Sequence, residues 1–395
     1  MFSNKALIPI FVVVFVDLLG FSIILPLLPF YALEYKLTPD VIGLIAAVYS
    51  VFQFIASPVL GAMSDKYGRR PLLIYSQLGS MIGFLVLGWA SAVWMLVASR
   101  VIDGISGGNI TIATAYVADV SEPKDRSSAM GIIGIAFGLG FMLGPFIGGE
   151  LAALWGKSAP AFGAAALSAT SMMLTIFYLK EPQVHRSTKE SKKGFATLID
   201  YFKTKNLRTF LTIFLFFALP FALYVSMFSL YAHIELDFNE RDVGRFLAYV
   251  GFLGIIWQGA VIRPLVKKMG ELFSVRLGMI CLSVGLLLIV LAQSWQQLAL
   301  VAFIFSFGSG ITRVVISSLI TQAAPPDKKG SVLGVSASLE SLSRIIGPII
   351  GGWMIAGLHP NYIGFVGAAM AAVGAYLAFT VKFDRHEVTG EMIID

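Results

Sequence analysis

Twelve runs of apolar residues, each long enough to cross a bilayer, recur along this chain of 395 residues. About 20 residues of helix span a hydrocarbon core. The runs fall at 6–31, 41–63, 72–91, 94–119, 127–150 and 159–180, then at 207–232, 242–266, 272–293, 296–322, 332–356 and 361–381. Only 13% of the residues are charged and 57% are hydrophobic, about half the charge of a water-soluble domain, so lipid is the expected solvent. The first run is too long for a signal-peptide core, carries Asp17 at its middle and lacks a small-residue cleavage site, and is read as a retained span.

An even number of spans puts both termini on one side. Of the 29 Lys and Arg residues, 22 fall on loops of that side, four on the other and three inside spans. The positive-inside rule then predicts a multi-pass protein of the inner (cytoplasmic) membrane with cytoplasmic termini. The net charge of +6 belongs to these loops and to anionic headgroups, so nucleic acid is discarded as a partner. The single Cys281 excludes a disulfide framework, and the four histidines have no metal-ligand spacing. No cofactor and no metal are expected. No G-x-x-x-x-G-K-[ST] loop occurs, so an ion gradient and not ATP is the expected energy source, and no span carries an intramembrane-enzyme motif.

Between the second and third spans stands Gly61-Ala-Met-Ser-Asp65-Lys-Tyr-Gly68-Arg69-Arg70-Pro71. It resembles the G-x-x-S-D-x-x-G-R-R-P motif of the major facilitator superfamily at every motif position. Asp119 and Arg126, flanking the next loop of the same side, also match. The resemblance implies that Asp65, Arg69 and Asp119, with Gly61, Gly68, Arg70 and Arg126 around them, form an inside-closing gate that breaks when the carrier opens inward.

The two halves are related in sequence. A shift of 203 residues lays Ser91 on Ser294, Gly107 on Gly310, Pro123 on Pro326, Gly131 on Gly334, Gly144-Pro145 on Gly347-Pro348 and Gly148-Gly149 on Gly351-Gly352. Parallel repeats of six helices are the plan of the superfamily. The expected fold is therefore an all-α membrane protein of twelve transmembrane helices in two six-helix bundles related by pseudo-two-fold symmetry. The expected divisions are a bundle at 1–180, a basic linker at 181–205, a second bundle at 206–382 and a tail at 383–395. Within the linker Phe195, Leu198, Ile199 and Phe202 have the spacing of a short helix lying on the membrane surface.

Charges inside spans are expensive, so each needs a partner or a task. Asp17, Arg100, Asp103, Arg313, Glu340 and Arg344 form this set. Arg100 and Asp103 share a helix face, as do Glu340 and Arg344. With no histidine in mid-membrane, protons have to be handled by carboxylates, and Asp17 or Glu340 is expected to exchange protons against substrate, competing for Arg313 or Arg344. A purely structural charge network is the other reading. Gln53, Asn109, Tyr224 and Gln258 complete the cavity candidates, Tyr224 because a mid-membrane hydroxyl wants a partner.

Gly140, Gly144, Pro145, Gly148 and Gly149 in the fifth span resemble the antiporter motif of the superfamily's proton-driven exporters. Close helix packing is the alternative role for these small residues. With Phe15 to Pro29 of the first span, they narrow the resemblance to the twelve-span drug/proton antiporters and the tetracycline-resistance efflux group. The resemblance implies a secondary transporter exporting amphipathic organic compounds in exchange for protons. Departures from that group are an eighth span with Trp257 and Gln258 but no histidine, a ninth with no acid, and the additional Arg313 and Arg344. Two cavity-side arginines suit an anionic or zwitterionic substrate better than a cationic drug. A proton symporter or facilitator for an organic anion, lipid or sugar, and a non-transporting sensor or scaffold, remain open at this point. Nothing in the chain demands more than a monomer in the bilayer.

Overall fold

The structure, a computed structural model, describes residues 7–122, 126–182, 205–325 and 329–381. The expected linker helix at Phe195–Phe202 and the tail lie outside these residues. The helices are α1 (Leu7–Ile24), α2 (Leu28–Glu34), α3 (Pro39–Tyr67), α4 (Arg69–Gly88), α5 (Val93–Ser106), α6 (Asn109–Val120), α7 (Arg126–Trp155) and α8 (Ala159–Tyr178). They continue as α9 (Lys205–Leu236), α10 (Glu240–Ile256), α11 (Ile262–Met269), α12 (Glu271–Ile289), α13 (Trp295–Ala323), α14 (Lys329–Gly357) and α15 (Tyr362–Thr380).

Among the described residues, eleven helical stretches are long and apolar enough to cross a membrane. The twelfth span is the fourth, expected at 94–119 as one helix and found as two, α5 and α6, separated at Gly107-Gly108. Neither piece alone spans about 30 Å of hydrocarbon. A break at membrane depth releases backbone groups that lipid cannot satisfy. Here Gln53 Nε2 donates to the Gly107 carbonyl at 3.0 Å, and the Gly107 and Gly108 amides turn back onto the Gly104 and Ser106 carbonyls. The eighth span is also irregular, with a π-helical turn at Trp257–Val261 joining α10 to α11.

Two compact units are present. Among the described residues, one comprises 7–122, 126–182, 226–252 and 348–360, the other 205–225, 253–325, 329–347 and 361–381. In the first, α1 packs on α7 and α8, α4 on α5 and α8, and α3 on α5. A core of Ile10, Val13, Val14, Leu72, Leu73, Ile112 and Tyr116 is buried where α1, α4 and α6 meet. In the second, α12 packs on α13 and α15.

The fifth-span glycines mark where helices touch backbone to backbone. Ser22 on α1 donates to the Gly140 carbonyl of α7 at 2.7 Å, and a Cβ on Gly148 would stand 2.9 Å from the Ile23 carbonyl oxygen. Gly347 of α14 repeats this against α9, where an added Cβ would lie 2.7 Å from the Leu223 amide nitrogen. A second pair of crossings also obeys the repeat. Gly149 and Gly244 bring α7 against α10, and Gly352 and Gly43 bring α14 against α3, each glycine facing the partner helix's backbone. Elsewhere Trp89, Trp94, Trp155, Phe177 and Tyr178 are exposed, as side chains facing lipid and its headgroup boundary are.

Candidate functional site

In the first unit the fourth-span break sets the site. Ending α5 at Ser106 and restarting at Asn109 places Asn109 in the first turn of α6, where its Nδ2 donates to Asp17 Oδ2 of α1 at 2.6 Å. Asp17, Tyr49, Gln53, Ser80, Asp103 and Asn109 line one cavity of ≈ 20 Å³. Gln53 Nε2 also reaches the Tyr49 hydroxyl at 2.7 Å. Arg100 and Asp103, both buried, face each other at 3.5 Å. Four of the candidates, Asp17, Asp103, Gln53 and Asn109, thus meet around one small polar space, with Arg100 behind it.

The second unit holds a charge group of opposite sign. Glu340 Oε1 accepts from Arg313 Nη2 at 2.5 Å and from Arg344 Nη2 at 2.7 Å. One carboxylate is shared by two guanidinium groups, leaving a surplus of one positive charge. Both arginines are about two-fifths exposed. The Arg313 guanidinium lies 5.9 Å from the centre of the Phe221 ring, which stacks on Phe305. Tyr224 packs on the same Phe305 at 5.0 Å between ring centres. An accessible cation beside an aromatic wall can hold a molecule with an acidic end and an apolar body. Gln258 is exposed on the π-helical turn and is not drawn into this group, whereas its neighbour Trp257 packs edge-on against Phe303 and Phe307.

At the end of the first unit where α3 turns into α4, Gly68 adopts φ 114, a conformation that needs glycine. The turn buries Arg69, whose Nη2 meets Asp65 at 2.6 Å and Nε meets Asp119 Oδ2 at 2.9 Å. Its Nη1 donates to Ser64 Oγ at 2.5 Å. Arg70 donates to the Thr175 and Ile176 carbonyls at the end of α8. Arg126 opens α7, and its side chain lies outside the described residues.

Glu181 was not among the sequence candidates. Its two carboxylate oxygens accept from the Arg69 and Arg70 amides at 2.7 and 2.8 Å, capping the start of α4. An acid that caps a helix more than a hundred residues away leaves no local signal. Glu150, at the other end of α7, was also missed. Arg241 and Arg245 of α10 each grip one of its oxygens, at 2.8 to 3.0 Å.

The family model for the Major Facilitator Superfamily matches residues 10–343 and again 261–391. This chain belongs to the major facilitator superfamily. Among curated relatives in that superfamily, the class H tetracycline resistance protein of Pasteurella multocida is 27% identical over 99% of both chains. Major facilitator superfamily domain-containing protein 10 of Homo sapiens is 32% identical over 78% of this chain and 71% of its own length. The crystal structure of that human protein, described as an organic anion transporter, matches with a TM-score of 0.71 at 25% identity, covering 95% of this chain and 99% of that one. The nucleoside transporter NupG, as a D323A mutant, matches in fold alone, with a TM-score of 0.80 at 13% identity over 95% of this chain and 99% of the other. Members of the superfamily found here are transporters, so this multi-pass membrane protein is a transporter and not an enzyme.

Proposed function

We propose that the protein is a proton-coupled efflux antiporter for amphipathic organic anions or zwitterions. It works as a single copy by alternating access of bundles 1–180 and 206–382, in an inner membrane with both termini cytoplasmic. The observation that carries the reading is the single Glu340 oxygen shared by Arg313 and Arg344 beside Phe221. A substrate carboxylate or phosphate docking there takes over one arginine, and the second stays with Glu340. Asp17, with Asp103 and Arg100 behind it, carries the proton. Gln53 and Asn109 of the first unit and Tyr224 and Gln258 of the second are the further candidates for substrate contact, and the Arg69 cluster and the fifth-span glycines govern closure.

Two similarities support this reading. Relatives named for tetracycline resistance suggest export, and the human relative's description suggests an anionic substrate. The test is proton movement in proteoliposomes carrying a pH dye, on adding matched cationic, zwitterionic and anionic amphiphiles. Proton movement is expected with anions or zwitterions, lost in Asp17→Asn and in Arg313→Ala. A response confined to cationic amphiphiles overturns the anion assignment. Substrate moving in the same direction as protons makes the protein a symporter.

A further inference from the structure

Between α1, α4 and α6 of the first unit lies a second cavity of ≈ 10 Å³, lined by Asp17, Gln77 and Asn109 among apolar side chains that include Val14 and Leu73. That is room for about one water or one small ion. Gln77 is fully buried and Asn109 nearly so, and Gln77 Oε1 and Asn109 Oδ1 have no hydrogen-bond partner.

The orientation of the Gln77 amide is fixed by its neighbours. Ser171 Oγ donates to the Val13 carbonyl at 3.1 Å, so it must accept from Gln77 Nε2 at 2.7 Å. Oε1 is thereby turned away from Ser171. Asn109 is oriented in the same way, because its Nδ2 is engaged by the Asp17 carboxylate. Three side chains therefore offer oxygen acceptors around one small space, and no donor answers two of them.

Charge decides what fits. The mid-span charges of this unit are Asp17, Asp103 and Arg100, two negative and one positive. A single buried negative charge is left over, which is costly unless a cation joins it. A water molecule brings no charge. A divalent ion would reverse the imbalance. A proton on Asp17 would cancel the charge, and Gln77 Oε1 would then need a separate water as donor, whereas one cation answers the charge and the acceptors together. Hard monovalent cations prefer oxygen ligands of this kind.

We infer that this cavity binds one dehydrated monovalent cation, sodium or lithium, through the Asp17 carboxylate, Asn109 Oδ1 and Gln77 Oε1. The inference rests on Asp17 being the coupling acid proposed above, and it names a second ion for which Asp17 has affinity. Sodium and protons then compete for one site. The titratable or charged groups facing it are Asp103 and Tyr49, which line the adjoining cavity, and Arg100 behind Asp103.

The experiment is binding of radioactive sodium ion to the purified full-length protein in choline chloride at alkaline pH, read by scintillation proximity. Saturable binding is expected at one ion per chain, displaced by unlabelled sodium, lithium or acidification, and not by further choline. Asp17→Asn should abolish it, and Gln77→Leu should weaken it about tenfold, as losing one ligand to a buried ion does. If Gln77→Leu does not fold, Gln77→Glu, which adds a charge at the same place, should tighten sodium binding at alkaline pH. Absence of saturable binding in the wild type, or binding unchanged in Asp17→Asn and Gln77→Glu, overturns the site. Sodium binding that survives while proton–substrate exchange is absent overturns only the coupling role.

Discussion

Arg69 and Glu271, one residue off the 203-residue register, stand at the same turn of the two repeats with opposite charge. Each follows a glycine of positive φ, Gly68 and Gly270, and each begins the third span of its repeat, α4 or α12. Arg69 reaches Asp119 at the end of α6. Glu271 reaches Ser318 and Gln322 near the end of α13, all at 2.8 Å. The next basic residue in each repeat also has a counterpart, since Arg70 donates to carbonyls at the end of α8 and Arg276 to those of Ala378 and Val381 at the end of α15. Duplication kept the geometry of this turn while the charges diverged.

The Arg69 cluster predicts an unequal mutational response. Asp119 is mostly buried and Asp65 is nearly two-thirds exposed. Asp119→Ala should cost about 3 kcal/mol, because it removes the sheltered partner of a buried guanidinium. Asp65→Ala should cost less than about 1 kcal/mol. Thermal unfolding in detergent micelles measures both, and equal losses would contradict the assigned roles.

Gln53 holds the broken fourth span. Removing its amide in Gln53→Leu leaves the Gly107 carbonyl without that donor, a loss of about 1–3 kcal/mol. Tyr49→Phe keeps the Gly107 bond and should lower the melting temperature less. If the two variants melt alike, the bond to Gly107 is not what stabilises the break.

The α7–α10 crossing should set how readily that end of the first unit closes. Gly244→Val pushes a side chain into the Pro145 carbonyl, and should hold the end open and reduce transport by at least about tenfold. Glu150→Gln removes only the half-exposed ion pairs with Arg241 and Arg245, each worth about 0.5 kcal/mol, and should slow transport only a few-fold. Electron–electron distance measurements between spin labels at Trp155 and Ile234 report the opening. An unchanged distance distribution in Gly244→Val would remove the crossing from the transport cycle.

Glu340 and its two arginines should separate binding from coupling. Arg313→Gln or Arg344→Gln should weaken an anionic substrate by about ten- to a hundredfold, the value of a charge-assisted hydrogen bond. Glu340→Gln frees both guanidinium groups and should bind the same anion at least as tightly as the wild type. Titration by quenching of tryptophan fluorescence distinguishes these outcomes. Weaker anion binding in Glu340→Gln would show that the carboxylate supports the substrate site and does not compete for it.

The sequence by itself determined the membrane class, the twelve spans, the duplication and the superfamily. These features are written locally, as run length, loop charge and a motif within eleven consecutive residues, or as a repeat at constant offset. It also singled out Asp17, Arg100, Asp103, Arg313, Glu340 and Arg344, because charge in an apolar run stands out wherever the helices go. Only the tertiary structure decided their partners. It separated them into a group with surplus negative charge in one unit and a group with surplus positive charge in the other. It also split the fourth span at Gly107-Gly108 and brought in Gln77, Glu150 and Glu181, whose importance depends on residues about 90 to 110 positions away. Hydrogen bonding between helices is set by rotation about each helix axis and by packing, and hydropathy along one strand of sequence does not encode either.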